Sequence, residues 1–460
     1  MCKVKILLIV LFITNHFNHA TTENYEEQFP DEKEKESIDN FIAGETKSFL
    51  DKLNKKREEE NKDKITMEQI RNDEEVTKEN AILIDILNNF STTLKDQNEN
   101  RGKKIGYIEI DKKKYCYNIN IEATKGIMFT SDTHAEADKV EKIWYFFDKL
   151  KKENKVDKLV FLGDYGDRGN CWTYTYFLLA AMAEKYGEDI IFIRGNHETI
   201  EIMSYYGIRA FGAISGKREC ANNCWDEMPL ICEITWNQKK IFCSHGAIPL
   251  NKDGEWLEYE EKTEILKDPY FLANWNENIF TEDQQQEIQP SSRDIGYAIS
   301  IKEIFQNMVN NEYDWSIHGH VHKNQCGISK KTNKRVVTVV AHEGGYDNKK
   351  DTPFLPAVYI INDKNTNGTF FNLLQKQNEK IQKLDKEKPK NMKILNNCVI
   401  YEYDFILEKT KKGIKKINNK PTKEEGKNKE VIYEENNNKE KKNVHNTTPK
   451  ICYCCDICEK

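Results

Sequence analysis

Five polar clusters, each set at the end of a short apolar run, constrain this chain more than any other feature. SDTHA follows residues 127–130 and offers Asp132 and His134. GDYGDRG follows 158–162 and offers Asp164, Asp167 and Arg168, and RGNHE closes 190–193 with Arg194, Asn196 and His197. SHG brings His245 behind 240–243, and HGHVH brings His318, His320 and His322 at the end of 314–318. The runs read as strands. Seven of the ten histidines fall between His134 and His342.

Between the strands the apolar period changes. Val140, Ile143, Trp144, Phe147 and Leu150 line one helical face, and residues 172–182 form a second apolar helix. Further strands are predicted at 229–235, 336–340, 357–361 and 398–403. Strands alternating with helices make βαβ units, so the fold class is α/β, and ligands in such sheets gather beyond the strand C-termini. The five clusters sit at that edge.

The mixture of donors names a chemistry. Carboxylate, imidazole and amide oxygen together suit Mn, Fe or Zn better than calcium, which takes oxygen alone. Two such ions about 3.5–4 Å apart, sharing a carboxylate, acidify one bridging water. The hydroxide attacks phosphorus in line while the ions neutralise charge on the phosphoryl oxygens.

The series SDTHA, GDYGDRG, RGNHE, IFCSHGA and GHVH resembles the signature of the PPP family of protein serine/threonine phosphatases, within the calcineurin-like metallophosphoesterases, over about residues 127–345. The resemblance implies a central two-sheet β sandwich flanked by α-helices, two divalent or trivalent ions, and a phosphoprotein substrate. It implies one metal held by Asp132, His134 and Asp164, and a second held by the shared Asp164 with Asn196, His245 and His320. The superfamily's G-H-x-H form adds His322 to the first metal. Many eukaryotic members carry R-A-H-x instead, so the segment is similar to the bacterial-like branch. His197 would protonate the leaving oxygen, oriented by Asp167, and Arg168 and Arg293 would bind phosphate. Several positions depart from the pattern. Ser131, Ala135 and Ala247 replace glycines, which matters wherever the backbone needs a positive φ. Gly166 replaces a valine, Arg293 is followed by Asp294 rather than glycine, and AHEGGYDN (341–348) stands in place of S-A-P-N-Y.

The remaining sequence frames this centre. Lys3 and Lys5 precede an apolar run at 6–13, and Ala20 fits a cleavage point, so residues 1–20 read as a signal peptide and the mature chain as secreted or lumenal. No later stretch is apolar enough to span a membrane. With 38% hydrophobic residues overall, a chain packed along its whole length is not expected. Residues 21–100 read as a charged extension, disordered or loosely helical to about 63, with a docking helix carrying Ile70, Ile82, Ile86, Leu87 and Phe90. The catalytic domain is placed at 101–408, a disordered Lys/Asn/Glu-rich tail at 409–450, and a Cys-rich end at 451–460. That end, CYCCDIC, favours disulfide pairing, including an intermolecular one, over zinc, because adjacent Cys454 and Cys455 make a poor tetrahedral set. Cys232 and Cys243 read as core residues. A net charge of -6, from 70 basic against 76 acidic residues, gives no electrostatic case for nucleic acid. Two other functions compete with the phosphatase: a nucleotidase or phosphodiesterase with the same metal set, and a secreted pseudophosphatase that only binds.

Overall fold

The computed structural model describes residues 34–72, 81–101, 104–110, 113–169, 171–205, 215–254, 256, 273–280, 287–293, 295–342, 356–373, 392–395, 398–404 and 407. The signal-like segment, the 409–450 tail, the Cys-rich end and residues 343–348 lie outside these.

Two sheets form the centre. Among the described residues one has nine strands in the order β1 (Ile105–Ile110), β2 (Lys113–Ala123), β6 (Ile231–Trp236), β7 (Lys239–Ser244), β11 (Trp315–His318), β13 (Arg335–Thr338), β12 (Gln325–Ser329), β17 (Cys398–Tyr403) and β16 (Met392–Leu395). The other has five: β15 (Asn365–Asn372), β14 (Ala357–Asn362), β3 (Gly126–Thr130), β4 (Lys158–Phe161) and β5 (Ile190–Phe192). A small third sheet joins β8 (Glu277–Ile279), β10 (Tyr297–Ser300) and β9 (Ile288–Pro290).

Alternation along each strand builds the layers. Ile127 and Phe129 of β3 and Val160 of β4 face Ile234, Ile241, Ile317 and Val337 of the larger sheet, filling the sandwich. Cys232 and Cys243 lie opposite each other in this core, buried and unbridged. Met128, Leu159 and Phe161 face outward instead, under a helical layer. That layer holds α4 (Ala137–Lys152) and α5 (Trp172–Tyr186). On the far side of the larger sheet, Ile231, Phe242 and Val336 pack under α8 (Ile301–Asn310) through Ile304, Phe305 and Met308. The two-sheet sandwich flanked by helices is the architecture the resemblance implied.

The amino-terminal region corrects the sequence reading. Residues 35–59 form α1 (Lys35–Glu59), a 25-residue helix, where disorder or loose helix was expected. Its buried residues Ile38, Ile42, Thr46, Phe49, Leu53 and Arg57 recur every three or four positions, a single stripe on an otherwise charged rod. Phe41 meets Trp144 edge-on at 5.9 Å, and Phe49 meets Phe177 at 5.3 Å. Fully burying each such aromatic contributes about 1.5–3 kcal/mol. The docking helix is divided into α2 (Met67–Arg71) and α3 (Ala81–Arg101). Ile86, Leu87 and Phe90 of α3 join the same core as α4 and α5. Arg57 of α1 and Asp85 of α3 form a buried ion pair. The described residues from Lys35 to Arg101 are thus part of the packed domain. Among the described residues no helix is long and apolar enough to cross a membrane.

The strand directions place the site. β3, β4 and β5 run parallel, and so do β7, β11 and β13. The C-terminal ends of these two trios, one from each sheet, meet at a single edge: the Ala341 N–H donates to Ser131 O at 2.8 Å, and the His320 N–H to Asp132 Oδ2 at 3.0 Å.

Candidate metal centre

Each strand of the first trio ends in a tight turn. Gly163 sits at φ +111°, and a Cβ there would lie 2.5 Å from Gly195 Cα, so the second and third turns pack backbone on backbone. Asp132, His134, Ala135, Asp164 and Arg168 all adopt positive φ, between 41° and 67°. Such left-handed backbone is strained for non-glycine residues and gathers at functional sites. Ala135, one of the replaced glycines, stands at φ +58°, whereas Ser131 and Ala247 do not need a positive φ. Gly166, which replaces a valine, is explained by its neighbour: a Cβ there would lie 2.3 Å from the Tyr176 ring.

These turns aim two carboxylates inward by the same device. One oxygen is held by a backbone amide and the other faces imidazoles. Asp132 Oδ2 accepts from the His320 N–H at 3.0 Å, leaving Oδ1 at 3.2 Å from His322 Nε2 and 3.8 Å from His134 Nε2. Asp164 Oδ1 accepts from the His197 N–H at 2.9 Å, leaving Oδ2 at 3.3 Å from His245 Nε2 and 3.7 Å from both His134 and His197. Asn196 Oδ1 lies 2.7 Å from His245 Nε2 and 2.9 Å from His320 Nδ1. All the residues assigned to metals by sequence therefore converge, with Asp164 between the two groups.

Among the described residues three sets of donors have atoms within 4.8 Å of one another: Asp164, His245 and His320; His134, Asp164 and His197; His134, His322 and His342. His320 Nε2 is buried with no hydrogen-bond partner, a state that a metal ion relieves. Donor chemistry and geometry both fit transition-metal ions.

Asp167 occupies a position of its own. Its Oδ1 lies 2.8 Å from His134 Nδ1, and its Oδ2 is bonded to His197 Nδ1. A carboxylate accepts only, so both rings carry their proton on Nδ1 and present Nε2 to the centre. The Arg168 guanidinium reaches those same nitrogens, at 3.1 Å from His134 Nε2 and 3.1 Å from His197 Nε2. Arg293 lies beside His320, with Nη2 donating to His320 O at 3.3 Å and Nε paired with Glu277 at 2.7 Å.

The electrostatics follow burial. Burial, with Arg168 beside it, holds His134 well below the usual imidazole range, and burial with Arg293 does the same to His320. His245 is the exception. Burial would lower it, but Asp164 raises it to about 9. Burial opposes ionisation of Asp164, yet His197 and His245 bring its pKa well below the ordinary value.

Two residues of the first clusters turn away from the centre. Arg194 pairs with Asp226 at 2.9 Å, and His318 lies between the hydroxyls of Ser244 and Ser316 at 3.1 and 2.6 Å. Two others were missed. Glu198, fully buried at the end of RGNHE, accepts from the N–H groups of Asp164, Tyr165 and Gly195 at 2.8, 3.0 and 2.8 Å, tying two turns together. Burial, reinforced by Asp164, pushes its pKa up to about 8. His342 is buried with its ring 4.9 Å from His134 and 4.6 Å from His322. Its only signal in the sequence was its place as the seventh histidine of the clustered stretch.

The chain is similar to known proteins over part of its length. The calcineurin-like phosphoesterase family matches residues 126–324. A 97-residue stretch is 34% identical to the serine/threonine-protein phosphatase 4 catalytic subunit of Kluyveromyces lactis, covering 20% of this chain and 30% of that protein. A Saccharomyces cerevisiae protein serine/threonine phosphatase with similarity to human phosphatase PP5 aligns over 64% of this chain and 90% of its own, with TM-score 0.42 and 15% identity. The cold-active protein-tyrosine phosphatase of a Shewanella species aligns over 55% and 82%, with TM-score 0.35 and 15% identity.

Proposed function

We propose that this chain, whose residues 126–324 match the calcineurin-like phosphoesterase family, hydrolyses phosphate monoesters, with phosphoserine and phosphothreonine in proteins as the substrate class. Asp132, His134, Asp164 and His322 would hold one ion, and Asp164, Asn196, His245 and His320 the other. Bound there, such ions supply Lewis acidity and a water acidified enough to act as nucleophile near neutral pH.

The observation that carries the reading is Asp167 shared between His134 and His197. One carboxylate fixes a ligand imidazole and, beside it, an imidazole outside the two metal sets. His197 Nε2 is thereby directed inward; as the imidazolium, with a second proton taken from solvent on Nε2, it gives that proton to the departing oxygen as the P–O bond breaks. A monoester's alkoxide leaving group needs that proton. Arg168 can serve His134 Nε2 or a phosphate, not both with an ion in place. Its guanidinium therefore turns to the peripheral phosphate oxygens, which Arg293 approaches from the other side. The identity to a serine/threonine phosphatase catalytic subunit supports the choice of substrate.

The test sets phosphopeptide, nucleotide and bis-ester substrates side by side on the purified full chain, with metal content measured and His197→Ala as control. Phosphopeptide turnover lost in the variant is expected, while turnover of the bis-ester alone overturns the proposal. The amino-terminal sequence further supports entry into the secretory pathway. A mature amino terminus beginning after residue 20 is the expected result, and an intact Met1 in the mature protein counts against it.

A further inference from the structure

Three imidazoles gather on the side of the centre away from His245. The rings of His134, His322 and His342 lie 4.9, 5.3 and 4.6 Å apart, each pair nearly perpendicular. One ring nitrogen of each falls within 4.8 Å of the others. His342 does not arrive there on a loose loop. Beyond β13 the chain is clamped on both sides. The Val339 N–H donates to His318 O at 2.9 Å, the Val340 N–H to Asn324 Oδ1 at 2.8 Å, and the Ala341 N–H to Ser131 O at 2.8 Å. Asn324 returns a bond from Nδ2 to Val340 O at 3.3 Å. The Ala341–Ser131 contact ties the residue before His342 to the residue before Asp132. Four groups on two sheets thus fix the backbone that delivers this side chain.

We propose that His342 is an additional ligand in the first metal pocket, alongside His134 and His322. This rests on the two-metal reading above and goes beyond it. The first pocket then offers three imidazoles with the carboxylates of Asp132 and Asp164. The second offers two imidazoles, the Asn196 amide oxygen and the shared carboxylate. Nitrogen-rich surroundings suit Zn or Fe, while oxygen-rich ones admit Mn. The two pockets are therefore unequal, and the first is the more selective against Mn and Mg.

Metal stoichiometry, chelator-competition affinities and the visible spectrum of the Co(II)-loaded full chain test this. They are compared among wild type, His342→Ala, and His342→Phe, which keeps a ring but no donor. Both variants are expected to hold one ion as wild type does and to bind the other about 10–100-fold more weakly. The Co(II) bands should change in intensity as one nitrogen leaves. Metal-free melting temperatures should match wild type, with a smaller rise on adding metal. Variants that bind two ions with wild-type affinity and an unchanged Co(II) spectrum overturn the assignment. So does a lower metal-free melting temperature with an undiminished metal-induced rise, which makes His342 a packing residue. A wild-type chain that takes up no metal removes the two-metal reading itself, an outcome separate from either variant result.

Discussion

The two walls of the centre are built differently. The wall from β3, β4 and β5 supplies every carboxylate, both Asp132 and Asp164 facing the imidazoles and Asp167 behind them. The wall from β7, β11 and β13 supplies imidazoles: His245, His320, His322 and His342. Backbone strain divides the same way. Among the site residues, Asp132, His134, Asp164 and Arg168 on the first wall have positive φ, against His320 alone on the second. Carboxylates held close together repel one another, and fixed amide donors offset that repulsion. Asp164 is held by the His197 amide of its own wall and Asp132 by the His320 amide of the second, while Glu198 braces two turns of the first.

If that division is real, the largest loss comes from the carboxylate both pockets share. Asp164→Asn should release both ions and lower kcat/KM by about 10^4-fold, the several kcal/mol that Lewis-acid stabilisation supplies. Retention of two ions would break the contrast between walls. His197→Ala should lower kcat by about 10^2–10^4-fold with metal content unchanged, separating proton delivery from metal binding on the same wall. Glu198→Gln puts an amide N–H against backbone donors that need an acceptor, and should destabilise the fold by about 1–3 kcal/mol in denaturant melts. Ala135→Gly should act in the opposite direction. Relief of the left-handed alanine outweighs the added chain entropy, and a gain of about 0.5–1 kcal/mol is expected. No gain would mean the strain at Ala135 is relaxed by its surroundings.

The first wall was legible in the sequence because each of its turns packs several site residues into four or five positions. β3, β4, β5, β6, β7, β11, β13, β14 and β17 were also readable as apolar runs. β12 contains a glycine, and β15 is mostly polar with only its Phe370–Phe371 end buried, so periodicity passes over them. Glu198 was printed inside RGNHE but has no ligand role to advertise it. His342 stood alone, 20 residues beyond His322, and only the pairing of β13 with β11 brings it back. The helix at Lys35–Glu59 was hidden by averaging. Ile38, Ile42, Phe49 and Leu53 are few among many charges, and composition saw the charges.

That helix bears on where the protein can be cut. A recombinant fragment begun near residue 100, where the motifs suggest a boundary, would strip Phe49 from Phe177 and Phe90 from Phe192. The outer flank of α5, buried along residues 172–183, would face water. Such a fragment is expected in inclusion bodies, and any expression vector meant to yield soluble enzyme has to encode the chain from before Lys35.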